Sequence, residues 1–146
     1  MRIPASPGTH LSAYPIHTTI TTRVSDMDGY GHLNAIRLGQ FYEEARANFY
    51  MQAFDKQQRD TRILVAELTF QYLGEGFWPG AIEMGTGIAQ INSSSFLMGQ
   101  GLFQNGELLG MCKTVLVCTR DGKACPIPDE MRSMLARQSI KTTETA

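Results

Sequence analysis

The chain has 146 residues and a mass of 16.2 kDa, with 42% hydrophobic and 18% charged residues, enough to bury one core and too little for two ordinary domains. Thirteen Lys and Arg stand against fourteen Asp and Glu, a net charge of −1 without acidic or basic blocks, which excludes the long-range attraction of a nucleic-acid or anionic-membrane binder. No stretch approaches the ~20 apolar residues of a membrane span and no signal-peptide run opens the chain, so one soluble, cytoplasmic domain over residues 1–146 is expected.

In chain order, residues 1–14 carry two Pro and a Gly and read as an irregular arm. Ile16, Thr18, Ile20, Thr22 and Val24 then alternate with His17, Thr19, Thr21 and Arg23, a β-branched period of two that predicts a strand over 16–24. The pattern breaks at DMDGYGHLN, an ordered-looking loop with two Gly and two Asp. After Asn34, a suitable N-cap, Leu38, Phe41, Tyr42, Ala45, Phe49 and Ala53 recur at helical spacing. Glu43, Glu44, Arg46 and Gln52 largely fill the other faces, and the helix runs to about Phe54. The polar segment KQQRDTR, residues 56–62, is a connector.

The remainder reads as sheet. Leu64, Ala66, Leu68, Phe70 and Tyr72 alternate with polar or smaller partners, and LGEGFWPG ends that strand. The runs at 81–91, 94–104 and 107–119 are separated by short turns, of which Asn105-Gly106 is a strong hairpin signal. Glycines at 85, 87, 99, 101 and 110 inside these strands point to bulges, curvature or close approach of another part of the chain. A short helix fits PDEMRSMLAR, and the polar ARQSIKTTETA reads as a loose tail, leaving an ordered core over about 14–135. A curved antiparallel sheet of about five strands wrapped around one long helix, an α+β arrangement, buries both elements most simply.

Cys112, Cys118 and Cys125 are odd in number and form no C-x-x-C pair, which predicts free thiols rather than a disulfide framework or a metal knuckle. No phosphate-binding Gly-rich loop, G-x-S-x-G elbow or H-E-x-x-H pair occurs, and neither a metal nor a redox cofactor is expected.

The chemistry-bearing segment is Asp26-Met27-Asp28-Gly29-Tyr30-Gly31-His32-Leu33-Asn34, which feeds a helix start. Unpaired N–H groups at a helix N-terminus polarise a carbonyl and stabilise a developing oxyanion, and a nearby carboxylate could act on the same carbon. That pairing suits acyl transfer or hydrolysis, although Asp before a helix is by itself most often a turn or cap residue.

The pattern D-x-D-G-Y-G-H-L-N followed by FYEEAR, Asp26 to Arg46, resembles the signature of hotdog-fold acyl-CoA thioesterases of the 4-hydroxybenzoyl-CoA thioesterase type. The resemblance runs through the strand ending FQYL, the QNGELLG hairpin and KTVLVCTRDGKACPIP, roughly Tyr14 to Leu135. It implies the hotdog fold, and homodimers or homotetramers whose active sites draw on both protomers. The implied substrate is an acyl-CoA or acyl carrier protein thioester, with coenzyme A part of the substrate and no separate cofactor.

By the same resemblance Asp28 is the catalytic carboxylate, either attacking the thioester through a mixed anhydride or activating water. Gly31 would allow close approach to the thioester, and backbone N–H groups around Asn34 and Ala35 would bind the oxyanion. His32 is divided between proton transfer and structural hydrogen bonding, and Asn34 between capping and orienting substrate. Asp26 is expected to hold the loop through backbone N–H groups. Ser94 and Ser95 fall where the family borders the pantetheine arm, and Arg120 and Lys123 where it can meet the nucleotide phosphates.

Two departures, Ala35 for the family's second Asn and Leu38 for its usual Tyr, bear on substrate identity. Leu38, Phe41, Phe70, Tyr72, Phe77 and Trp78 would serve as an acyl channel or as core. Glu43 or Glu44 is a reserve carboxylate, as a second hotdog subgroup carries its carboxylate on the helix. Two other functions are compatible: acyl-CoA binding without turnover, and dehydration or hydration of 3-hydroxyacyl thioesters.

Overall fold

A computed structural model describes residues 8–54 and 60–141. Strand β1 (Ile16–Thr21) is followed by helix α1 (Ala35–Ala53), strands β2 (Arg62–Tyr72), β3 (Ala81–Ile91), β4 (Ser95–Gln104), β5 (Glu107–Arg120) and β6 (Lys123–Ala124), and helix α2 (Asp129–Ala136). All described pairings between strands are antiparallel, in the order β1-β3-β4-β5-β2, with β6 folding back on the end of β5. β6 adds a short strand to the expected five. It forms because Asp121 and Gly122 both take positive φ, 52° and 77°, closing a two-residue turn that lets Arg120 face Lys123.

Helix α1 lies against β3 and β1 and buries the stripe that its sequence spacing set out. Leu38, Phe41, Tyr42 and Ala45 meet Ile82, Met84, Leu102 and Cys112, while Phe49 and Ala53 meet Phe96, Met98, Leu116 and Leu135. Arg46 departs from the expected polar face and is 7% exposed. Its guanidinium reaches Gln100 Oε1 at 3.4 Å, and the Gln100 amide donates to the Tyr42 carbonyl at 3.0 Å and Thr86 Oγ1 at 3.2 Å. A polar seam thus crosses the apolar interface, each member held by another.

Two strand expectations are corrected. Strand β1 stops at Thr21, because Thr22 donates through both its N–H and its hydroxyl to the Gly80 carbonyl and the chain turns through one 3-10 turn at Val24–Asp26. The alternation of β2 slips at a bulge between Val65 and Glu67. Beyond it Val65 and Ile63 pair with core residues Leu116 and Cys118, and Leu64 moves to the opposite face.

The ends that read as loose also pack. Tyr14 lies buried against Phe103, and Ile140 donates its N–H to Ile88 and stands over β3 and β4 on the face away from α1. The in-strand glycines make room for them: a β-carbon at Gly85 would strike the Tyr14 ring, and one at Gly87 would lie 2.7 Å from Ile140 and Pro15. Residues 1–7 and 142–146, the outer parts of both predicted ends, and residues 55–59, most of the predicted connector, lie outside the described residues. Among the described residues no helix is long and apolar enough to cross a membrane.

Truncating Phe49, which has no exposed surface, leaves a cavity between α1 and the sheet. Phe49→Ala is expected to lower the free energy of unfolding by about 3–5 kcal/mol. Met51→Ala, at an exposed position of the same helix, changes it by less than about 0.5 kcal/mol. Urea denaturation at one fixed protein concentration measures both, and equal losses would contradict this packing.

Candidate active site

The loop between β1 and α1 is a tight hairpin. Met27 bridges to Leu33, Asp28 N–H donates to the His32 carbonyl at 2.9 Å, and Gly31 turns the chain at φ +90°. Gly31 is therefore needed for backbone conformation, and a β-carbon there would meet no protein atom within 4 Å.

Asp26 anchors this hairpin, as its sequence position implied. Its carboxylate has no exposed surface and accepts from Arg23 N–H at 2.8 Å and from the Arg23 guanidinium at 3.2 Å. Its backbone carbonyl accepts from Asn34 N–H at 2.8 Å, joining the turn to the first residue of the helix cap. On the other side Leu33 N–H donates to the Gly76 carbonyl at 2.7 Å, fastening the hairpin to the turn after β2.

Asn34 caps α1, its side-chain oxygen accepting from Ile36 N–H at 2.8 Å and Arg37 N–H at 3.4 Å. These bonds narrow the expected oxyanion site. Asn34 N–H is committed to Asp26, and Ile36 and Arg37 are committed to the cap, whereas no hydrogen bond falls on the exposed Ala35 N–H among the described residues. Ala35 is the free donor of the helix start.

Asp28 stands in the hairpin that leads into this helix start. Its Oδ1 accepts from Tyr30 N–H at 2.8 Å and, less closely, from His32 N–H at 3.4 Å, while Oδ2 stands 3.1 Å from His32 Nδ1. The carboxylate is 18% exposed, oriented by backbone and still open to a ligand. Tyr30, itself exposed, stacks its ring on His32 with centroids 6.3 Å apart. The far nitrogen of His32 faces Glu75 Oε1 at 3.7 Å, a residue the sequence reading passed over.

The other predicted contacts lie elsewhere. Ser94, Ser95, Arg120 and Lys123 come together, since the Ser94 carbonyl accepts from Cys118 N–H and Lys123 pairs with Arg120. A cavity of about 760 Å³ beside them is lined by Arg62, Thr119, Arg120, Asp121 and Gly122, with Asp60 and Leu64. Arg62, a second cation there, was hidden in the predicted connector. This group sits at the far end of β5 from Leu109, which accepts from Leu73 and Gly74 next to the Asp28 hairpin. Eleven residues of strand, about 36 Å at ~3.3 Å each, separate the two groups within one chain.

Leu38 and Phe41 are core, with Phe70 packed against them, whereas Tyr72, Phe77 and Trp78 are partly exposed near the hairpin end. Glu43 and Glu44 are exposed on α1. The three cysteines are free thiols. Burial, followed by the hydrogen bond from Cys125, pushes the Cys118 thiol up to about 11, so it is no ready nucleophile. Among the described residues no three His, Cys, Asp or Glu side chains are grouped to hold a metal ion.

The model of the thioesterase-like superfamily matches residues 22–135, which include the hairpin, α1 and the whole of the sheet from β2 onward. The chain belongs to the thioesterase-like superfamily. It is accordingly of the thioester hydrolase class, on a hotdog fold.

Solved structures similar to this superfamily member include the PA5185 protein of Pseudomonas aeruginosa, 26% identical with a TM-score of 0.79 over 92% of this chain and 98% of that one. A predicted thioesterase from Bacillus stearothermophilus is 25% identical, with a TM-score of 0.78 over 87% and 98%. A thioesterase from Thermus thermophilus, solved with coenzyme A and Zn, shares the fold at 22% identity and a TM-score of 0.78 over 86% and 95%. Comparison with curated proteins gave no match.

The two aspartates of the hairpin are separable by stability. Asp26→Ala removes a buried acceptor of two bonds and is expected to cost about 1–3 kcal/mol. Asp28→Asn keeps an acceptor oxygen and changes stability by less than about 0.5 kcal/mol. Thermal and urea unfolding of both variants check this, and a destabilised Asp28→Asn would assign that residue a structural role.

Proposed function

We propose that the protein hydrolyses an acyl-CoA thioester, with Asp28 as the base that activates water and Ala35 N–H as the oxyanion donor. One observation carries the reading: a partly exposed, oriented carboxylate and the free N–H of a helix start belong to one pinned hairpin in a thioesterase-like chain. Water gives a proton to Asp28 Oδ2 as its oxygen attacks the carbonyl carbon. The resulting oxyanion accepts from Ala35 N–H, and collapse breaks the C–S bond. The departing thiolate takes up the proton, leaving free acid and coenzyme A.

We further propose that the site is completed by a second copy of the chain. β2 ends the described sheet with its outer edge unpaired, and Leu64, Val65, Leu68 and Tyr72 along it are exposed. Antiparallel pairing of β2 with its counterpart would set the Arg62 end of one protomer against the Tyr72 end of the other. Arg62 and Arg120 of one copy would then approach the Asp28 hairpin of the next, where coenzyme A phosphates need cations.

Thiol release from a panel of short, long and aromatic acyl-CoAs tests the chemistry. Asp28→Ala is expected to lower kcat by about 10²–10⁴-fold, and equal rates in both proteins would remove Asp28 from the mechanism. Tight binding without thiol release by the wild type would instead favour a sensor. Single-turnover hydrolysis in H₂¹⁸O should leave Asp28 unlabelled, while one ¹⁸O in its carboxylate would identify it as the nucleophile.

Sedimentation at micromolar concentration is expected to give a dimer or larger, and Leu68→Arg to give monomers with little activity. A fully active wild-type monomer would overturn the shared site.

A further inference from the structure

The face of the sheet away from α1 is hollowed where β3, β4 and β5 run side by side. Lys113 of β5 pairs with Gly99 of β4, which pairs with Gly87 of β3. In the flanking rows Met111 faces Gly101, and Val115 faces Leu97. A row with two glycines, set between rows that carry Met111 and Leu97, leaves a trough on that face.

The two chain ends fill only part of it. A β-carbon on Gly99 would lie 2.7 Å from Ile140 Cδ1, and one on Gly85 or Gly101 would meet the Tyr14 ring. Toward β5 a cavity of about 220 Å³ stays open, lined by Tyr14, Leu97, Gly99, Met111 and Ile140, with the exposed Lys113 among its lining residues.

We propose that this cavity binds an aliphatic monocarboxylate, its hydrocarbon tail on the sheet and its carboxylate at Lys113. The polar groups around the trough are already engaged, so it offers a polar tail few partners. The strand backbones pair with one another, the Tyr14 hydroxyl donates to the Gly8 carbonyl at 2.8 Å, and the Gln90 amide donates to Asn92 Oδ1 at 2.9 Å. Lys113 differs. Among the described residues no carboxylate stands within ion-pair distance of it. The nearest acid on the adjoining strand, Glu67, is met instead by Thr69 Oγ1 at 3.5 Å.

An ammonium beside an apolar hollow favours a ligand with one anionic end and an apolar body. The volume sets the length: an apolar cavity of about 150 Å³ accepts benzene, so 220 Å³ suits an acid of about six to eight carbons. Such a ligand touches β4, β5, Tyr14 and Ile140 together, and so fastens both chain ends to the sheet. An acid of this class is also what acyl-CoA hydrolysis releases; that link rests on the proposed function, whereas the binding does not.

The experiment titrates octanoate into the full-length wild type, Lys113→Glu and Leu97→Trp, with octanol as the uncharged control. Methyl signals of ¹³C-methionine and thermal unfolding follow the binding. In the wild type the Met111 methyl should move saturably at concentrations that leave Met27, in the Asp28 hairpin, in place. Unfolding should shift upward by about 2–4 °C at a tenfold excess over Kd. Lys113→Glu should weaken octanoate about five- to tenfold and octanol less than about twofold. Each methylene removed from octanoate should weaken binding about fourfold. Leu97→Trp fills the trough and should abolish binding of both ligands while still unfolding cooperatively. Lys113→Glu, at an exposed position, keeps the test decisive if Leu97→Trp does not fold.

No saturable Met111 shift with millimolar octanoate, a shift of Met27 alone, or equal octanoate affinity in wild type and Lys113→Glu would each overturn the proposal. Binding that disappears as protein concentration rises, with larger assemblies in sedimentation, would show that another copy of the chain takes the trough, and would overturn it too. None of these readouts involves thiol release, so the hydrolase reading stands or falls separately.

Discussion

The site depends on a carboxylate that carries out no chemistry. Asp26 has no exposed surface, and an unpaired ion in that position would be costly. Its side chain is satisfied by Arg23 and its carbonyl by Asn34, so one residue ties the end of β1 to the start of α1. That tie has a chemical consequence. By taking Asn34 N–H, and leaving the Asn34 side chain to take Ile36 and Arg37, it satisfies the helix start everywhere except at Ala35. The same arrangement fixes the hairpin on which Asp28 stands, so donor and carboxylate are positioned by a single local network.

Strand direction then sets the assembly problem. β2 and β5, antiparallel to each other, span from the hairpin end to the Arg62 and Arg120 end, so in the proposed site a thioester at Asp28 lies a full strand length from its own chain's Arg120. An acyl group and thioester at Asp28 require the nucleotide to be met by something other than that chain's own Arg120. Antiparallel pairing of two β2 edges reverses one copy and resolves the separation without moving any residue, which is the physical reason a shared site suits this sheet order.

What could be read from the sequence follows the range of the interaction involved. The 3.6-residue spacing after Asn34 and its capping side chain are local, and α1 emerged with its bounds almost unchanged. β1 was overextended because Val24 continues a β-branched pattern into a turn that Asp26 and Gly80 impose from elsewhere. The bulge at Val65 and Glu67 leaves no mark on the alternation that Leu64 to Tyr72 displays. Arg46 was read as polar surface, since nothing nearby in the sequence announces Gln100 as its partner. The hairpin residues were legible through a resemblance that rests on a short motif. Glu75 carries no such mark, and only the docking of Gly76 on Leu33 brings it to His32.

The glycines of β3 and β4 gave a signal that can now be read fully. Gly85, Gly87, Gly99 and Gly101 alternate with Met84, Thr86, Ile88, Met98 and Gln100, so they share the face opposite α1. A sheet face built of glycine offers little apolar area of its own and must be covered by something inserted from outside. Tyr14, Pro15 and Ile140 supply that cover from the two ends of the chain. With this face occupied by the protein itself, the exposed apolar residues of β2 are the ones that the proposed second copy would cover. Covering one face from within and leaving one edge open thus act together, so that the proposed second copy has the β2 edge to pair with.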